Sequence, residues 1–342
     1  MLPPLVRWPS LILLGLLITI TGCIDTFSPD VSAPSPAPIV VEGTVTDGAG
    51  PHEVQLTRAA AFEQSLDGLV RSVSGASLTI TDTTAGTTVL LHETDRSGVY
   101  RTDAGELNGL PGHTYRLDIV LNDGTRYRST PQTMLPPVPI DSVTVAFDET
   151  PTPGFRVRIN APEPAGPPNF YRWSVRATYQ AAIFPEPMTP PFFCWADDGI
   201  NNTIPVRDDL LIDGGRIEQE PVRFVPVPPK TSLGEQVDIR QQTLTADAFA
   251  FWKAIEEQVE NTGNTFAPPP SPIQSNLRNL TNPNEPALGF FTAVGQTEAT
   301  TCVDARDFPE APFPATGGED DTCDGPRVSF RRPQFWECSP NQ

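Results

Sequence analysis

Alternation is the dominant pattern along this chain. Ile39, Val41, Gly43 and Val45 alternate with Val40, Glu42, Thr44 and Thr46, and the run stops at Asp47-Gly48, a dipeptide that favours tight hairpin turns. A period of two puts successive side chains on opposite faces, so the run predicts a half-buried strand. Shorter runs follow at Val54 and Leu56, Leu78 and Ile80, Val89 and Leu91, and Val99-Tyr100, separated by Gly, Asp, Ser and Thr clusters. The clearest hairpin spans Thr114 to Thr130: Tyr115, Leu117, Ile119 and Leu121 share one face, Asp123-Gly124 turns the chain and Tyr127 returns it. About seven short strands within about 95 residues predict an immunoglobulin-like β-sandwich over residues 39–135.

The segment Met134 to Pro139, MLPPVP, is a stiff connector that closes this first domain. Alternation resumes at Ile140 to Phe147, Phe155 to Ile159 and Tyr171 to Tyr179. In the last run Tyr171, Trp173, Val175, Ala177 and Tyr179 face one way and Arg172, Ser174, Arg176 and Thr178 the other. One helix is predicted, near residues 246–261. Thr245 caps its first turn, Asp247 complements the dipole there, Phe249, Trp252, Ile255 and Val259 recur at helical spacing, and Gly263 ends it. The aromatic stripe reads as packing against a sheet. Residues 136–342 therefore read as a second β-rich domain with one α-helix, and the whole chain as mainly β.

The N-terminus follows another rule. Arg7 precedes an apolar run from Leu11 to Ile20, whose ten residues suit the core of a signal peptide and fall short of the roughly 20 needed to span a bilayer. The run ends in Ile20-Thr21-Gly22-Cys23, which resembles the bacterial lipobox. Residues 1–22 are thus expected to be removed and Cys23 to be lipidated, its acyl chains anchoring the protein in a lipid bilayer. Residues 23–38 read as a tether, since SPDVSAPSPAP from Ser28 to Pro38 favours extended polyproline II conformations. Ile24, not Asp, follows Cys23, which directs the expectation to the outer membrane of a Gram-negative cell, with the leaflet left open.

Composition narrows the partners. Forty-two acids against 23 bases give a net charge of -19, so polyanionic nucleic acid would be repelled. Forty prolines in 342 residues argue against long helices, while a 38% hydrophobic share with 18 Phe allows a substantial core. Beyond Cys23 the cysteines are Cys194, Cys302, Cys323 and Cys338, an even number that predicts two disulfides in an exported chain. Three connectivities are possible. The expected one joins Cys302 to Cys323 around a Pro/Asp-rich insertion and Cys194 to Cys338, tying the chain end to the second domain. No CxxC pair is present and His52, His92 and His113 lie far upstream, so neither a structural zinc nor any cofactor is expected.

Catalytic motifs are weak. Gly75-Ala76-Ser77-Leu78-Thr79 is the nearest run to a nucleophile elbow and lacks its second glycine. His52 follows a turn and His113 opens a strand, positions that suit solvated imidazoles. Asp197-Asp198, Asp208-Asp209 and Glu319-Asp320-Asp321 sit among Gly, Asn and Pro and read as solvated turn acids. The last group, with Asp324, lacks EF-hand spacing.

The ordered series IVVEGTVTDGAGPHEVQLTRA, SGASLTITD, GVYRTD, GLPGHTYRLDIVLNDGTRYRS, PIDSV, FCW, LTADAFAFWKAIEEQVENTGNTFAPPPSPIQSNLRN, PALGFFTA and PQFWEC, behind a lipobox, resembles the domain-of-unknown-function-4249 family of bacterial lipoproteins. Only Glu298 to Gly325 departs from the pattern. The resemblance implies a transthyretin-like or carboxypeptidase-regulatory sandwich at the N-terminus, no established reaction, and genes beside TonB-dependent outer-membrane transporters. The expected function is accordingly a non-catalytic accessory or ligand-capture partner of such a transporter. Its best-formed concavity would be lined by aromatics and prolines, and aromatics such as those between Phe184 and Trp195 would serve as contacts. An envelope hydrolase acting on carbohydrate or peptide through loop carboxylates, and a structural lipoprotein without a ligand, are the alternatives.

Overall fold

A computed structural model describes residues 37–59, 71–183, 192–200, 205–227, 234–261, 273–311 and 328–338. The signal segment, Cys23, most of the tether, Cys323, Gly263 and the acids Glu319 to Asp324 lie outside the described residues.

Alternating burial forms the first unit. Its strands are β1 (Ile39–Thr46), β2 (Glu53–Arg58), β3 (Arg71–Ser72), β4 (Ser77–Asp82), β5 (Thr87–Glu93), β6 (Val99–Arg101), β7 (Thr114–Val120), β8 (Arg126–Ser129) and β9 (Gln132–Thr133). In β4 and β7 the predicted faces are the buried ones: Leu78, Ile80, Tyr115, Leu117 and Ile119 are all inside. The β7–β8 turn forms where its sequence demands it. Gly124 adopts φ +84, which suits glycine, and Asp123 Oδ1 accepts from Thr125 N at 2.8 Å.

The second unit contains β10 (Ser142–Asp148), β11 (Gly154–Pro162), β12 (Phe170–Ile183), β13 (Phe192–Ile200), β14 (Val206–Asp208), β15 (Arg216–Pro226) and β16 (Glu235–Leu244). Helix α1 (Ala246–Asn261) follows, then β17 (Leu277–Asn279), β18 (Leu288–Val303) and β19 (Val328–Ser329). Thr245 caps the helix as expected, accepting from Ala248 N at 3.3 Å. The buried stripe is shifted from the predicted one. Ala248 and Phe251 are buried, Phe249, Trp252 and Ile255 are half-buried beside them, and Val259 is exposed.

Among the described residues one hydrogen-bonded path runs β17-β8-β7-β4-β5-β6-β2-β1-β18-β16-β12-β13-β19, and β10-β11-β15 form a separate sheet. Strand β5 pairs with β4 through Leu78↔Leu91 and with β6 through His92↔Arg101, so the path folds over on itself into the first sandwich. That sandwich does not end at residue 135, a correction to the expected domain boundary. Strand β18 pairs in parallel with β1 (Val41↔Gly289, Val45↔Ala293), β17 pairs with β8, and Leu277, Phe291 and Ala293 complete the first core. Gly289 permits this closure: its φ is +88 and any Cβ there would collide with the carbonyl of Val41.

The far half of β18 pairs instead with β16 (Gln242↔Gln296, Glu235↔Val303), and one strand thereby belongs to both units. The β16/β12 sheet packs its inner face on β10-β11-β15, burying Phe155, Val157, Tyr171, Trp173, Val225 and Ile239. Tyr179 keeps the face of Ala177, since β12 runs in unbroken register with β16 (Ala177↔Val237, Tyr179↔Glu235), and it packs in a small separate cluster with Ala181 and Cys194. The extra residue at the shift beside Ala177 and Thr178 lies on β13, and Thr178 and Gln180 are buried on the opposite face.

Cys302 is joined to Cys338, with Cα atoms 5.6 Å apart, which overturns the expected Cys302–Cys323 and Cys194–Cys338 pairing. Gln236, opposite Cys302 on β16, explains the choice. Its Nε2 donates to Phe335 O at 3.1 Å and its Oε1 accepts from Glu337 N at 2.7 Å, seating the C-terminal segment beside Cys302. Cys194, on β13, is also disulfide-bonded.

Candidate functional site

Beyond the strip of Phe170, Leu244, Phe290 and Val294 that α1 covers, the outward face of the continuous sheet is polar because the inward positions take the apolar residues of each alternating run. On it lies a cleft of about 980 Å³ at the junction of the two units, within reach of the range occupied by small-molecule sites. Glu42 and Thr44 of β1, Glu53 and Gln55 of β2, Gln296 and Glu298 of β18, Arg240 and Gln242 of β16, and Arg172 and Ser174 of β12 line it. The turn from Asp47 to Pro51, with Arg96 and Arg101, closes the opposite side. Register places Arg172, Gln242 and Gln296 in one row across three strands and Ser174, Arg240 and Glu298 in the next. The expected lining of aromatics and prolines is therefore corrected: the cleft is lined by charges and amides, because it sits on the solvent face of alternating strands.

Most of these side chains hold one another. Arg172 Nη1 donates to Gln242 Oε1 at 3.1 Å, Gln242 Nε2 to Gln296 Oε1 at 2.8 Å, and Gln296 Nε2 to Glu298 Oε1 at 3.0 Å, where Arg240 Nε also donates at 3.1 Å. Arg101 pairs with Glu53 at 2.6 Å. Arg172 differs from its neighbours. Its guanidinium lies 3.7 Å from the ring centroid of Trp252, it forms no ion pair among the described residues, and its Nε is sealed from solvent without a hydrogen-bond partner. Burial pushes its pKa down to about 10 against the opposing influence of Glu42. The guanidinium stays charged at neutral pH.

His52 also borders the cleft, and it is buried, not solvated as its turn position suggested. Its Nε2 donates to Leu107 O at 2.9 Å, since a carbonyl can only accept, and Nδ1 faces Thr46 N at 3.4 Å. Burial holds its pKa below the ordinary histidine value, with the Leu107 bond acting in the other direction. His113 is likewise engaged, with Nδ1 2.7 Å from Asp82 Oδ2. Asp82 is buried, which opposes its ionisation, but bonds from Ala85 N–H, the His113 ring and Thr84 N–H prevail and lower its pKa. His92 lies exposed on β5, and Ser77 opens β4.

The acid pairs fall differently from expectation. Asp197 is on β13, not in a loop, and pairs with Arg176 at 3.1 Å. Asp208 ends β14 and accepts from Leu210 N at 3.3 Å in a turn, whereas Asp209 is buried. Asp209, Glu163 and Asp213 bring carboxylate oxygens within 4.8 Å of one another, the grouping among the described residues that could offer oxygens to a cation. Glu163 lies too far upstream for sequence spacing to reveal this. Each carboxylate is already bonded: Glu163 accepts from Asn169 Nδ2 at 2.8 Å and Gly214 N at 2.7 Å, Asp209 from Asn169 N at 2.8 Å, and Asp213 from Gly166 N at 3.0 Å. The three staple two loops together. They do not line the cleft.

A smaller concavity of about 330 Å³ continues along the same face past Arg240 and Glu298 to Arg176, Asp238 and Phe335. Beyond it, Phe192, Phe193, Phe330 and Phe335 are exposed, so the described end of the Phe184 to Trp195 segment does present aromatics to solvent.

The sequence model of a family described as "Domain of unknown function (DUF4249)" matches residues 24–300. The chain belongs to the DUF4249 family. The match covers β1 and most of β18, the two strands whose parallel pairing closes the first sandwich, and it ends within the Glu298 to Gly325 segment that departed from the pattern. No curated protein matches this DUF4249 chain.

Proposed function

We propose that this DUF4249 protein is a lipid-anchored outer-membrane lipoprotein that captures a small ligand in the junction cleft and serves a TonB-dependent transporter as a non-catalytic accessory. The observation that carries the reading is the cleft itself. Its charged groups are tied into a hydrogen-bonded row that holds its shape, and among the described residues no imidazole nitrogen is bonded to a hydroxyl or thiol in the manner of an activated nucleophile. The exposed phenylalanines near β13 and β19 supply contacts of the kind that anchor partners. The Cys302–Cys338 disulfide fits an oxidising compartment, and the lipobox ending at Cys23 supplies the anchor.

The test has two arms. Cys23→Ala should release the protein from washed membranes, and retention at high salt would refute the anchor. Cross-linking in intact membranes followed by detergent pull-down should recover a TonB-dependent barrel, because two partners in one bilayer meet at high effective concentration. Recovery of no barrel, together with turnover of a glycan or peptide by the purified protein, would replace the accessory role with the hydrolase.

A further inference from the structure

We propose that the junction cleft is a carboxylate-binding site, with Arg172 as its anchor and a small polar acid, either an acidic sugar or a short peptide presenting its C-terminus, as the ligand. The inference rests on the reading of the cleft as the ligand site and names the chemistry it takes. Four arginines line the cleft, and Arg101 and Arg240 are already neutralised by Glu53 and Glu298. Arg172 is not neutralised in this way. Of the five donors on its guanidinium, only Nη1 has a partner among the described residues, the amide oxygen of Gln242, and Nε is buried with none.

A desolvated cation with unmatched donors at the edge of a cavity is stabilised by an acceptor that brings opposite charge, and a carboxylate matches the planar fork of a guanidinium with two oxygens. Trp252, 3.7 Å beneath the guanidinium, fixes its plane, and the Gln242 bond fixes its rotation. A monoanion suits the surroundings better than a phosphate, because Glu42, Asp47, Glu53 and Glu298 also line the cleft and would repel further negative charge. The remaining lining, Thr44, Gln55, Ser174 and Gln296, offers donors and acceptors for the hydroxyls or amides of the ligand body. The volume of about 980 Å³ admits either source.

Calorimetric titration of the full, detergent-solubilised protein separates the two. Galacturonate is compared with galactose, and trialanine with trialanine amide, so that each pair differs at the carboxyl group. At least one acid should bind saturably and roughly tenfold or more tighter than its uncharged counterpart, and the acid that does so identifies the source. Arg172→Gln should remove that preference. Because Arg172 is half-buried against Trp252, Glu42→Gln provides an independent check on an exposed residue: it removes a competing negative charge and should tighten acid binding by a few-fold. Failure of both acids at about 10 mM, equal binding of acid and uncharged partner, or unchanged or weakened acid binding in Glu42→Gln would overturn the assignment. If the acids fail while a TonB-dependent barrel is still recovered by cross-linking, the carboxylate assignment falls and the accessory role stands. Acid binding without any barrel gives the converse.

Discussion

The two cores of this molecule solve burial by different means. In the first sandwich the packed cluster is aliphatic and aromatic, from Val41 and Leu56 to Leu117 and Phe291, and the buried polar groups His52, Asp82 and Asn276 bond to backbone groups. In the second, both members of an ion pair lie inside. Arg223 and Glu235 are both buried and share charge-assisted hydrogen bonds, one of them at 2.8 Å from Nε, and Gln241 bridges Trp173 Nε1 at 2.9 Å and Val138 O at 2.9 Å. Apolar packing tolerates small geometric change with a graded loss. A buried charge that loses its partner does not. The second unit is therefore expected to be the more brittle half, with the cleft resting on its sheet.

Replacing Glu235 with alanine tests this most severely. The variant leaves the Arg223 guanidinium buried without that partner, and a loss of about 3–5 kcal/mol is expected, read from urea unfolding. Leu117→Ala in the first core should cost about 2–5 kcal/mol by cavity formation. A loss below about 1 kcal/mol for Glu235→Ala would erase the proposed contrast. Opening the Cys302–Cys338 link by Cys338→Ser, which frees a loop with a sequence separation of 36, should cost about 4 kcal/mol on the chain-entropy account. Peptide mapping without reductant checks the pairing itself.

The pattern of legibility follows the same division. The first unit was readable because its strands alternate cleanly and turn at Asp-Gly pairs, so local rules decide them. Its closure was not, since nothing in the sequence near Leu288 announces that Gly289 lets β18 lie against β1, about 250 residues upstream. In β12 the alternation holds from Tyr171 to Tyr179, but nothing in the local sequence marks that Thr178 on its outward face is buried, or that β13 bulges beside it. The helix lies where its cap and spacing predict it, and of its predicted stripe only Val259 is exposed. Of the site, Arg172, Ser174 and Arg176 were seen to share the outward face of β12, yet their meeting with Glu42 and Glu298 depends on long-range pairing. His52 is buried although it follows a turn, because position after a turn says nothing of what later folds over it.

pH sharpens the comparison inside the first unit. His52 is buried with a lowered pKa, so below the ordinary value of 6.5 the unfolded chain takes up a proton that the folded chain resists. Stability that is fully present above 6.5 should therefore fall as pH drops toward the lowered folded value, and His52→Gln should flatten that slope. Asp82 acts in a lower window. Its lowered pKa stabilises the fold above the ordinary 3.8, and this contribution should be lost as pH falls through the folded value, with Asp82→Asn removing the dependence. Unfolding midpoints measured from pH 8 to 3 would separate the two, and an unchanged slope in His52→Gln would contradict the buried neutral imidazole.

The smallest effect is expected at the cleft surface, and it matters for using the cleft as a test bed. Arg240 and Glu298 pair at 3.1 Å, but their side chains are 54% and 63% exposed. Water screens such a pair and two long side chains lose freedom to form it, so its contribution should lie within about 0–1 kcal/mol. Arg240→Gln should thus unfold within about 0.5 kcal/mol of the parent in urea, and more nearly so at high salt, where the pair is screened further. A double-mutant cycle with Glu298→Gln isolates the coupling. A coupling above about 2 kcal/mol would mean that the row from Arg172 through Gln242 and Gln296 to Glu298 acts as one cooperative network. The outward face would then share the brittleness of the core beneath it.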